Sequence, residues 1–200
     1  MVTEQRLLKI KRVLQHRQPD LTVVIENISD PHNVSAILRT CDAVGVGKVH
    51  LVYTVEKFPD ISKKSSASAK KWIEIEKHKS LEECYEKLHK KGFKIIATAI
   101  NEKSKDLYDF DLTEKVAIVM GNEHRGVSEE AQRLADHILQ IPMWGMIQSL
   151  NVSVATAVIL YEAARQRKNK YFYSKIRLSQ SEYNRLFLKW TNNNTSEVEK

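Results

Sequence analysis

Polar side chains follow an apolar segment at residues 27–40, where a turn leads into a helix. Asp30-Pro31 is typical of a turn, and Asn33 lies in the first turn of the helical pattern that follows. Arg39 lies roughly 120° around the helix axis from Asn33, given about 3.6 residues per turn. The two side chains do not overlie one another, but both can reach a cleft beside the start of the helix. Helix capping by Asn33 and a surface ion pair of Arg39 are the simpler interpretations of each residue alone.

Glycines surround a carboxylate directly after a predicted buried strand, VAIVM at 116–120. Gly121 comes first, Glu123 follows two residues later, and Gly126 lies three residues beyond Glu123. Glycine lets the backbone approach a ligand closely, and open α/β sheets bind ligands at the carboxyl ends of their strands. The segment matches neither a phosphate-binding loop nor the zinc-protease motif. It predicts a ligand site. The alternatives are that Glu123 stabilises the start of the next helix or forms an ion pair with Arg125.

A third segment, LQIPMWGMIQSLNVSVATA at 139–157, is too apolar for a solvated loop and too irregular for a core element. A strand ends at its beginning, and a helix rich in small residues begins at its end. Between them lie Ile141, Met143, Trp144, Met146, Ile147, Ser149, Leu150 and Asn151. Apolar walls with backbone polar groups suit an adenine-sized ring. The segment predicts such a pocket or a surface buried under a neighbouring subunit, and the two are compatible.

The elements that position these segments alternate between strand and helix patterns. The predicted strands are 21–25, 48–52, 72–76, 93–100, 116–120 and 137–141. The predicted helices are 33–44, 81–92, 128–135, 151–168 and 179–190. Residues 56–71 are predicted to be a polar loop, and 191–200 a disordered polar tail. Strands separated by helices predict an α/β domain with a largely parallel, helix-covered sheet.

The basic excess of the chain is concentrated near its two ends. The net charge of +7 divides into +4 for residues 1–17, −2 for 18–161, +5 for 162–177 and zero for 178–200. Two basic segments flanking a slightly acidic body favour contact with nucleic acid, because each phosphate contact releases counterions. Solubility alone is the simpler alternative. The candidate RNA-binding residues are Arg6, Lys9, Arg12, Arg165, Arg167 and Lys168.

Composition excludes several other classes of protein. A chain of 200 residues with 42% hydrophobic residues can build one domain with a real core. No segment approaches the roughly 18 consecutive apolar residues of a membrane span, and the N-terminus lacks the apolar block of a signal peptide. Cys41 and Cys84 make no disulfide framework, and no Cys/His spacing predicts zinc. We therefore expect a cytoplasmic protein without a metal or a membrane partner.

Three motifs occur in order: Asn33 with Arg39, GNExxG at 121–126, and IPMxGxxxSLNVSxA at 141–155. Together they resemble the TrmH/SpoU branch of the SPOUT methyltransferases, which methylate ribose 2′-hydroxyls in transfer and ribosomal RNA. The resemblance covers about residues 20–167. The size of the chain and its basic ends look most like the TrmH-type tRNA guanosine 2′-O-methyltransferases, which act on the D-loop.

The resemblance implies an architecture and a set of partners. It implies an α/β fold whose parallel sheet is flanked by helices, with a C-terminal trefoil knot and additional terminal helices. It also implies S-adenosyl-L-methionine bound in the knot, a homodimer, and tRNA as the substrate. On this basis residues 1–19 are expected to form a basic, tRNA-binding helix and residues 20–168 the methyltransferase domain. Residues 169–200 are expected to form a helical extension with a polar tail.

The resemblance also implies roles for individual residues. Arg39 would be the key catalytic residue, and the side chains that hold it would be Asn33, Glu123, Ser149 and Asn151. The implied cofactor contacts are Thr98, Gly121, Ile141, Met143 and Leu150. An arginine pKa above about 12 makes a general-base role awkward. We expect Arg39 to bind the adjacent phosphate and stabilise the developing alkoxide, while the proton leaves through phosphate or water.

Two other functions stay open at this point: a ribosomal RNA 2′-O-methyltransferase and a non-catalytic RNA-binding protein of the same fold. Relatives that act on ribosomal RNA often carry a separate N-terminal RNA-binding domain. Only some 20 residues precede the first predicted strand here, which favours tRNA. The full set of motif residues argues against loss of catalysis.

Overall fold

Seven parallel strands form the central sheet in a computed structural model that describes residues 2–58 and 69–192. In chain order the strands are β1 Leu21–Glu26, β2 Lys48–Val52, β3 Glu74–His78, β4 Lys94–Thr98, β5 Lys105–Asp106, β6 Val116–Met120 and β7 His137–Gln140. Their order across the sheet is β3-β2-β1-β6-β4-β7-β5, and every strand pair is parallel. The prediction of a parallel α/β sheet is confirmed.

Helices cover both faces of this sheet. They are α1 Glu4–Gln15, α2 Pro31–Ala43, α3 Ala69–Trp72, α4 Leu81–Lys90, α5 Glu129–Leu134, α6 Val152–Asn169 and α7 Gln180–Asn192. Successive strand residues point to opposite faces. Val23 and Ile25 therefore pack in one core cluster with α2 and α6, whereas Val24 packs in the other with α4 and α5. Burial on both faces explains why β6 is a continuous apolar run and why β1, which is buried along its whole length, does not alternate between apolar and polar residues.

The two terminal helices pack against each other in a third apolar cluster. Ile10 and Leu14 of α1 meet Leu186 and Trp190 of α7 there, and Trp72 packs against them. The rings of Trp72 and Trp190 meet edge to face, with centroids 5.2 Å apart. The helical extensions at both ends of the chain are therefore docked together.

Arg17 links the two terminal helices to the domain that contains the sheet. Its buried guanidinium donates to the Asp42 carboxylate at 2.7 Å and to the carbonyls of Val46 and Trp72 at 2.9 and 3.0 Å. It also lies over the Trp190 ring, 5.1 Å from the centroid. Part of the basic excess of the N-terminal segment is thus structural.

Arg167 is also structural, which corrects its predicted role as an RNA contact. Its side chain is 0% exposed and forms an ion pair with Asp20. It also donates to the carbonyls of Leu112 and Glu114 at 3.0 and 2.7 Å. A helix register cannot reveal this, because the partners that bury Arg167 lie more than 50 residues away in sequence.

Element boundaries differ from the predictions at the edge of the sheet. The predicted strand 72–76 is wrong at its start, because Trp72 ends α3 and the strand runs from Glu74 to His78. Packing of Trp72 on the terminal helices outweighs the alternating pattern there. The short β5 has too few residues to produce a pattern. Of the predicted polar loop and polar tail, residues 59–68 and 193–200 lie outside the described residues.

Among the described residues, every helix is too short or too polar to cross a bilayer.

Replacing Trp190 should show how much the terminal helices stabilise the fold. Trp190→Ala removes a buried aromatic ring and should lower the free energy of unfolding by about 3–5 kcal/mol. Leu188→Ala, on an exposed position of the same helix, should change it by less than about 0.5 kcal/mol. Urea unfolding followed by circular dichroism measures both. Equal values for the two variants would show that the contact is not stabilising.

Candidate active site

A cavity of about 590 Å³ lies where β4, β6 and β7 end. All five predicted cofactor contacts line it: Thr98, Gly121, Ile141, Met143 and Leu150. Three of the five predicted catalytic residues line it too: Glu123, Ser149 and Asn151. The carboxyl ends of parallel strands meet at one edge of a sheet, which brings residues from distant motifs together.

The glycines of the GNExxG segment allow a tight turn directly after β6. A Cβ atom on Gly121 would lie 2.2 Å from backbone atoms of Gly126 and Val127, so no other residue fits there. Gly126 has a φ of +69°, in the left-handed region that favours glycine. Asn122 closes the turn, because its backbone N–H and C=O both bond to Gly126. Gly121 thus serves a close backbone–backbone contact, in addition to lining the cavity.

Asn122 and Asn27 are site residues that the sequence reading missed. Asn122 donates through Nδ2 to the carbonyl of Asn27 at 2.8 Å. Asn27 follows β1 with a φ of 50°, and its Oδ1 accepts from the backbone N–H groups of three residues, 54–56. Asparagine tolerates the left-handed region, so an Asn directly after a buried strand was the available signal. The two residues join the loops that leave β1, β2 and β6.

The Glu123 carboxylate is the centre of the hydrogen-bond network beside the cavity. Its Oε1 accepts from Asn33 Nδ2 and from the Asp30 backbone N–H, both at 3.0 Å. Its Oε2 accepts from the Ser29 backbone N–H and hydroxyl, both at 3.1 Å. Arg125 pairs with Glu56 at 2.7 Å, which excludes the alternative of a Glu123–Arg125 ion pair.

These hydrogen bonds keep Glu123 ionised. Partial burial raises the pKa of the carboxyl, but the bonds from Asn33 and from backbone N–H groups outweigh burial and lower the pKa to about 2. A carboxylate with so low a pKa is a poor proton acceptor at neutral pH. Glu123 is therefore suited to holding its neighbours in place.

Asn33 links this carboxylate to the start of α6. It is buried, and its Oδ1 accepts from Asn151 Nδ2 at 3.1 Å. Asn151 is the N-cap of α6, and its Oδ1 accepts from the backbone N–H of Ser153 at 2.9 Å. The cap of α2 is Asp30, so the interpretation of Asn33 as a cap is wrong. A chain of hydrogen bonds runs from Asn151 through Asn33 to Glu123.

Arg39 and Ser149 lie outside this network. Arg39 is exposed on α2, and no hydrogen bond or ion pair engages its guanidinium within residues 2–58 and 69–192. Ser149 is exposed where it lines the cavity. The structure therefore brings Asn33, Glu123 and Asn151 together but does not show them holding Arg39. A cation without a protein partner remains available to an external anion.

The apolar loop after β7 is largely in contact with solvent in the single chain. Trp144 is 88% exposed and Met146 is 98% exposed, and Ile147 beside them is also exposed. Large apolar side chains grouped in this way mark a surface for a ligand or for another protein.

The remaining predicted RNA-binding residues are on the surface. Arg6, Lys9 and Arg12 are exposed on α1, and Lys168 is exposed on the last turn of α6. Arg165 is exposed as well, although it is paired with Glu162 on the same helix at 2.7 Å.

Comparison with known proteins yields a family match and close relatives. Residues 20–161 match the SpoU rRNA Methylase family. The chain is 47% identical over 188 residues to the tRNA (guanosine(18)-2'-O)-methyltransferase of Thermus thermophilus, covering 94% of this chain and 96% of that protein.

One solved structure is similar to 95% of this chain, and another is similar to 77% of it. The A. aeolicus TrmH/SpoU tRNA modifying enzyme matches with a TM-score of 0.88 and 42% identity, over 95% of this chain and 96% of that one. The SpoU methyltransferase AviRb from Streptomyces viridochromogenes, in complex with AdoMet, matches with a TM-score of 0.66 and 25% identity. That alignment covers 77% of this chain and 59% of AviRb.

Replacing Glu123 tests the network through the pH dependence of stability. The folded-state pKa of about 2 lies below the ordinary value of 4.5, so the carboxylate stabilises the fold above about pH 4.5. This contribution is lost as the pH falls through 2. Glu123→Gln should therefore be less stable than the wild type at neutral pH, by a margin that shrinks between pH 4.5 and 2.

Urea unfolding at a series of pH values measures that margin. Glu102→Gln, on an exposed turn, controls for the loss of one negative charge. A margin for Glu123→Gln that stays constant down to pH 2 would contradict the assignment.

Proposed function

The chain belongs to the SpoU methylase family and is a methyltransferase; within that family, we propose that it methylates tRNA at the ribose 2′-hydroxyl of guanosine 18 in the D-loop. The methyl donor that we propose is S-adenosyl-L-methionine. One observation carries this proposal: a single cavity gathers eight predicted site residues, five for the cofactor and three for catalysis, from two of the three motifs and from Thr98 at the end of β4. The near full-length similarity to a tRNA (guanosine(18)-2'-O)-methyltransferase supports the substrate.

The cavity suits the proposed cofactor in size and in chemistry. Its volume of about 590 Å³ is in the range of sites for small molecules and cofactors. Ile141, Met143 and Leu150 offer apolar walls for an adenine ring. The Thr98 hydroxyl donates to the Val119 carbonyl at 2.9 Å, which fixes the position of Thr98 in the cavity wall. When bound, S-adenosyl-L-methionine supplies a methyl group on a sulfonium, which an oxygen attacks in line.

The guanidinium of Arg39, which has no hydrogen-bond or ion-pair partner among residues 2–58 and 69–192, is the group that we assign to the RNA. It binds the phosphate next to the target ribose and stabilises negative charge that develops on the 2′-oxygen. Glu123 is not the base in this scheme, because its low pKa and four accepted hydrogen bonds make it a positioning residue. The 2′-hydroxyl proton passes to phosphate or water. Ser149 and Asn151 line the cavity beside the same ribose.

A homodimer completes the proposal. The exposed apolar loop that includes Trp144 and Met146 is a surface that a second copy of the chain would cover. The resemblance of the motifs to the TrmH/SpoU branch is what supports a C-terminal trefoil knot around the cofactor. It also supports residues 20–168 as the methyltransferase domain, with extensions at 1–19 and 169–200. A protein that modifies tRNA works where tRNA is present, so we place it in the cytoplasm.

Arg39→Ala should lower the rate of methylation about 10²–10³-fold, because it removes charge stabilisation in the transition state. Arg39→Lys should restore only part of the rate, since lysine lacks the planar fork that grips a phosphate. Transfer of labelled methyl groups to unmodified tRNA measures both rates. Arg133→Ala, an exposed arginine on α5, is the matched control.

Two further measurements complete that test. Calorimetry should show unchanged cofactor affinity in Arg39→Ala. A tRNA with adenosine in place of guanosine 18 should not be methylated. Near-normal turnover by Arg39→Ala, or methyl groups at another nucleotide, would contradict the proposal.

Lys168 and Arg167, adjacent in sequence, should behave in opposite ways. Lys168→Ala should weaken tRNA binding. The slope of log K against log salt concentration should fall by about one released counterion, and the free energy of unfolding should change little. Arg167→Ala leaves the carbonyls of Leu112 and Glu114 without their donor and removes one of the two ion-pair partners of Asp20, the other being Arg177, so it should destabilise the fold by about 1–3 kcal/mol. Filter binding across a salt series and urea unfolding distinguish the two. If the salt dependence of tRNA binding is unchanged in Lys168→Ala, Lys168 does not contact a phosphate of the RNA.

A further inference from the structure

Two histidines and a cysteine are buried together at the edge of the sheet, among residues that the proposed methyl transfer does not use. His50 lies on β2, His78 ends β3, and Cys84 lies on α4, which packs against them. All three side chains are buried. One potential ligand atom from each lies within 4.8 Å of the other two. Soft and borderline donors of this kind are the ligands that zinc prefers.

The strand register explains how the two imidazoles meet. His50 is paired with Glu76, and His78 is paired with Val52, so the two histidines are diagonal neighbours on one face of the sheet. His50 Nδ1 lies 2.9 Å from His78 Nε2, and the rings are stacked with centroids 5.1 Å apart. The pair shares a single proton at this contact.

A carboxylate approaches the same two nitrogen atoms from the solvent side. Glu76 Oε2 lies 4.0 Å from His50 Nδ1, and Glu76 Oε1 lies 4.0 Å from His78 Nε2. Glu76 is only partly buried and also interacts with Lys48 and Lys87, each at 3.6 Å. It therefore offers a fourth donor and a route of entry from solvent.

The second nitrogen of His78 shows that the cluster is not fully satisfied by the protein. His78 Nδ1 is buried and has no hydrogen-bond partner within the described part of the chain. The nearest carboxylate oxygen, Glu83 Oε1, is 3.9 Å away. When His78 binds a metal through Nε2, its Nδ1 keeps a proton, and the Glu83 carboxylate is then the nearest acceptor, of the kind that metal-ligating histidines commonly use.

We propose that His50, His78, Cys84 and Glu76 bind one zinc ion. Tetrahedral zinc with these ligands places donor atoms roughly 3.3–3.6 Å apart. The observed nitrogen–nitrogen distance of 2.9 Å and nitrogen–oxygen distances of 4.0 Å need shifts of less than about 1 Å to reach that geometry, and the Cys84 sulfur, within 4.8 Å of a ring nitrogen of each histidine, needs a shift of at most about 1.5 Å. The ion takes the place of the proton between the two imidazoles, and that proton moves to the other nitrogen of the ring that carried it, so that both imidazoles stay neutral. The Cys84 thiol binds as the thiolate and releases its proton to solvent.

The four protein ligands leave no open position, which makes this a structural site and not a catalytic one. The ion would join β2, the edge strand β3 and helix α4, three elements that backbone pairing, apolar contact and the ion pairs of Glu76 with Lys48 and Lys87 also hold together. This inference is independent of the proposed methyl transfer.

Cobalt, which replaces zinc in tetrahedral sites, gives a direct test with the full chain. Metal-free protein should bind one equivalent of Co²⁺ with intense visible bands and a thiolate-to-cobalt charge-transfer band. Cys84→Ala should lose the charge-transfer band. Cys41→Ala, which removes the other fully buried cysteine, should keep it. Addition of zinc should raise the melting temperature of the wild type and of Cys41→Ala but not of Cys84→Ala.

Two outcomes would overturn the proposal. One is wild-type protein that binds no stoichiometric cobalt and shows no zinc-dependent rise in melting temperature. The other is a charge-transfer band that persists in Cys84→Ala or disappears in Cys41→Ala, since the sulfur ligand would then be a different residue. If Cys84→Ala does not fold, the band of the Cys41→Ala protein decides the question, because Cys84 is then the only remaining thiol.

Discussion

The structure of the candidate site depends on one carboxylate and the groups that donate to it. A partly buried charge is tolerated only where hydrogen bonds replace the water it has lost. Glu123 meets this requirement with donors from the turn after β1 and from Asn33 on α2. Asn33 in turn binds Asn151 at the start of α6. One ionised group thus fixes the turn after β1 and helix α2 against two segments that line the cavity, the GNExxG turn and the start of α6.

The residues of the network are held by several hydrogen bonds, in contrast to Arg39. Asn33 and Glu123 are engaged on several sides, whereas Arg39 projects from the same helix without a partner in the described residues. This division suits a reaction in which the protein holds a fixed cavity and keeps one cation available for an incoming phosphate. The apolar loop after β7 is also available for an external partner, because the single chain leaves it uncovered.

Basic residues serve two purposes in this protein. Arg17 and Arg167 are buried and hold the terminal segments to the main domain through carboxylates and backbone carbonyls. Lys9, Arg12 and Lys168 are exposed and contribute charge to the surface. Net charge per segment, which suggested nucleic-acid binding, counts both kinds together. Only the exposed ones can form contacts with phosphates.

The sequence by itself determined the parallel α/β architecture, the position of the ligand site at the strand ends and, through the family that its motifs resemble, eight of the residues that line the cavity. These follow from local periodicity and from motifs, which are properties of neighbouring residues. The tertiary structure decided that Asn33 bonds to residues 90 and 118 positions away, that Arg167 is buried, and that His50, His78 and Cys84 meet. No local pattern encodes such contacts, because they arise where separate elements pack. Burial and pairing depend on the partner as much as on the residue itself.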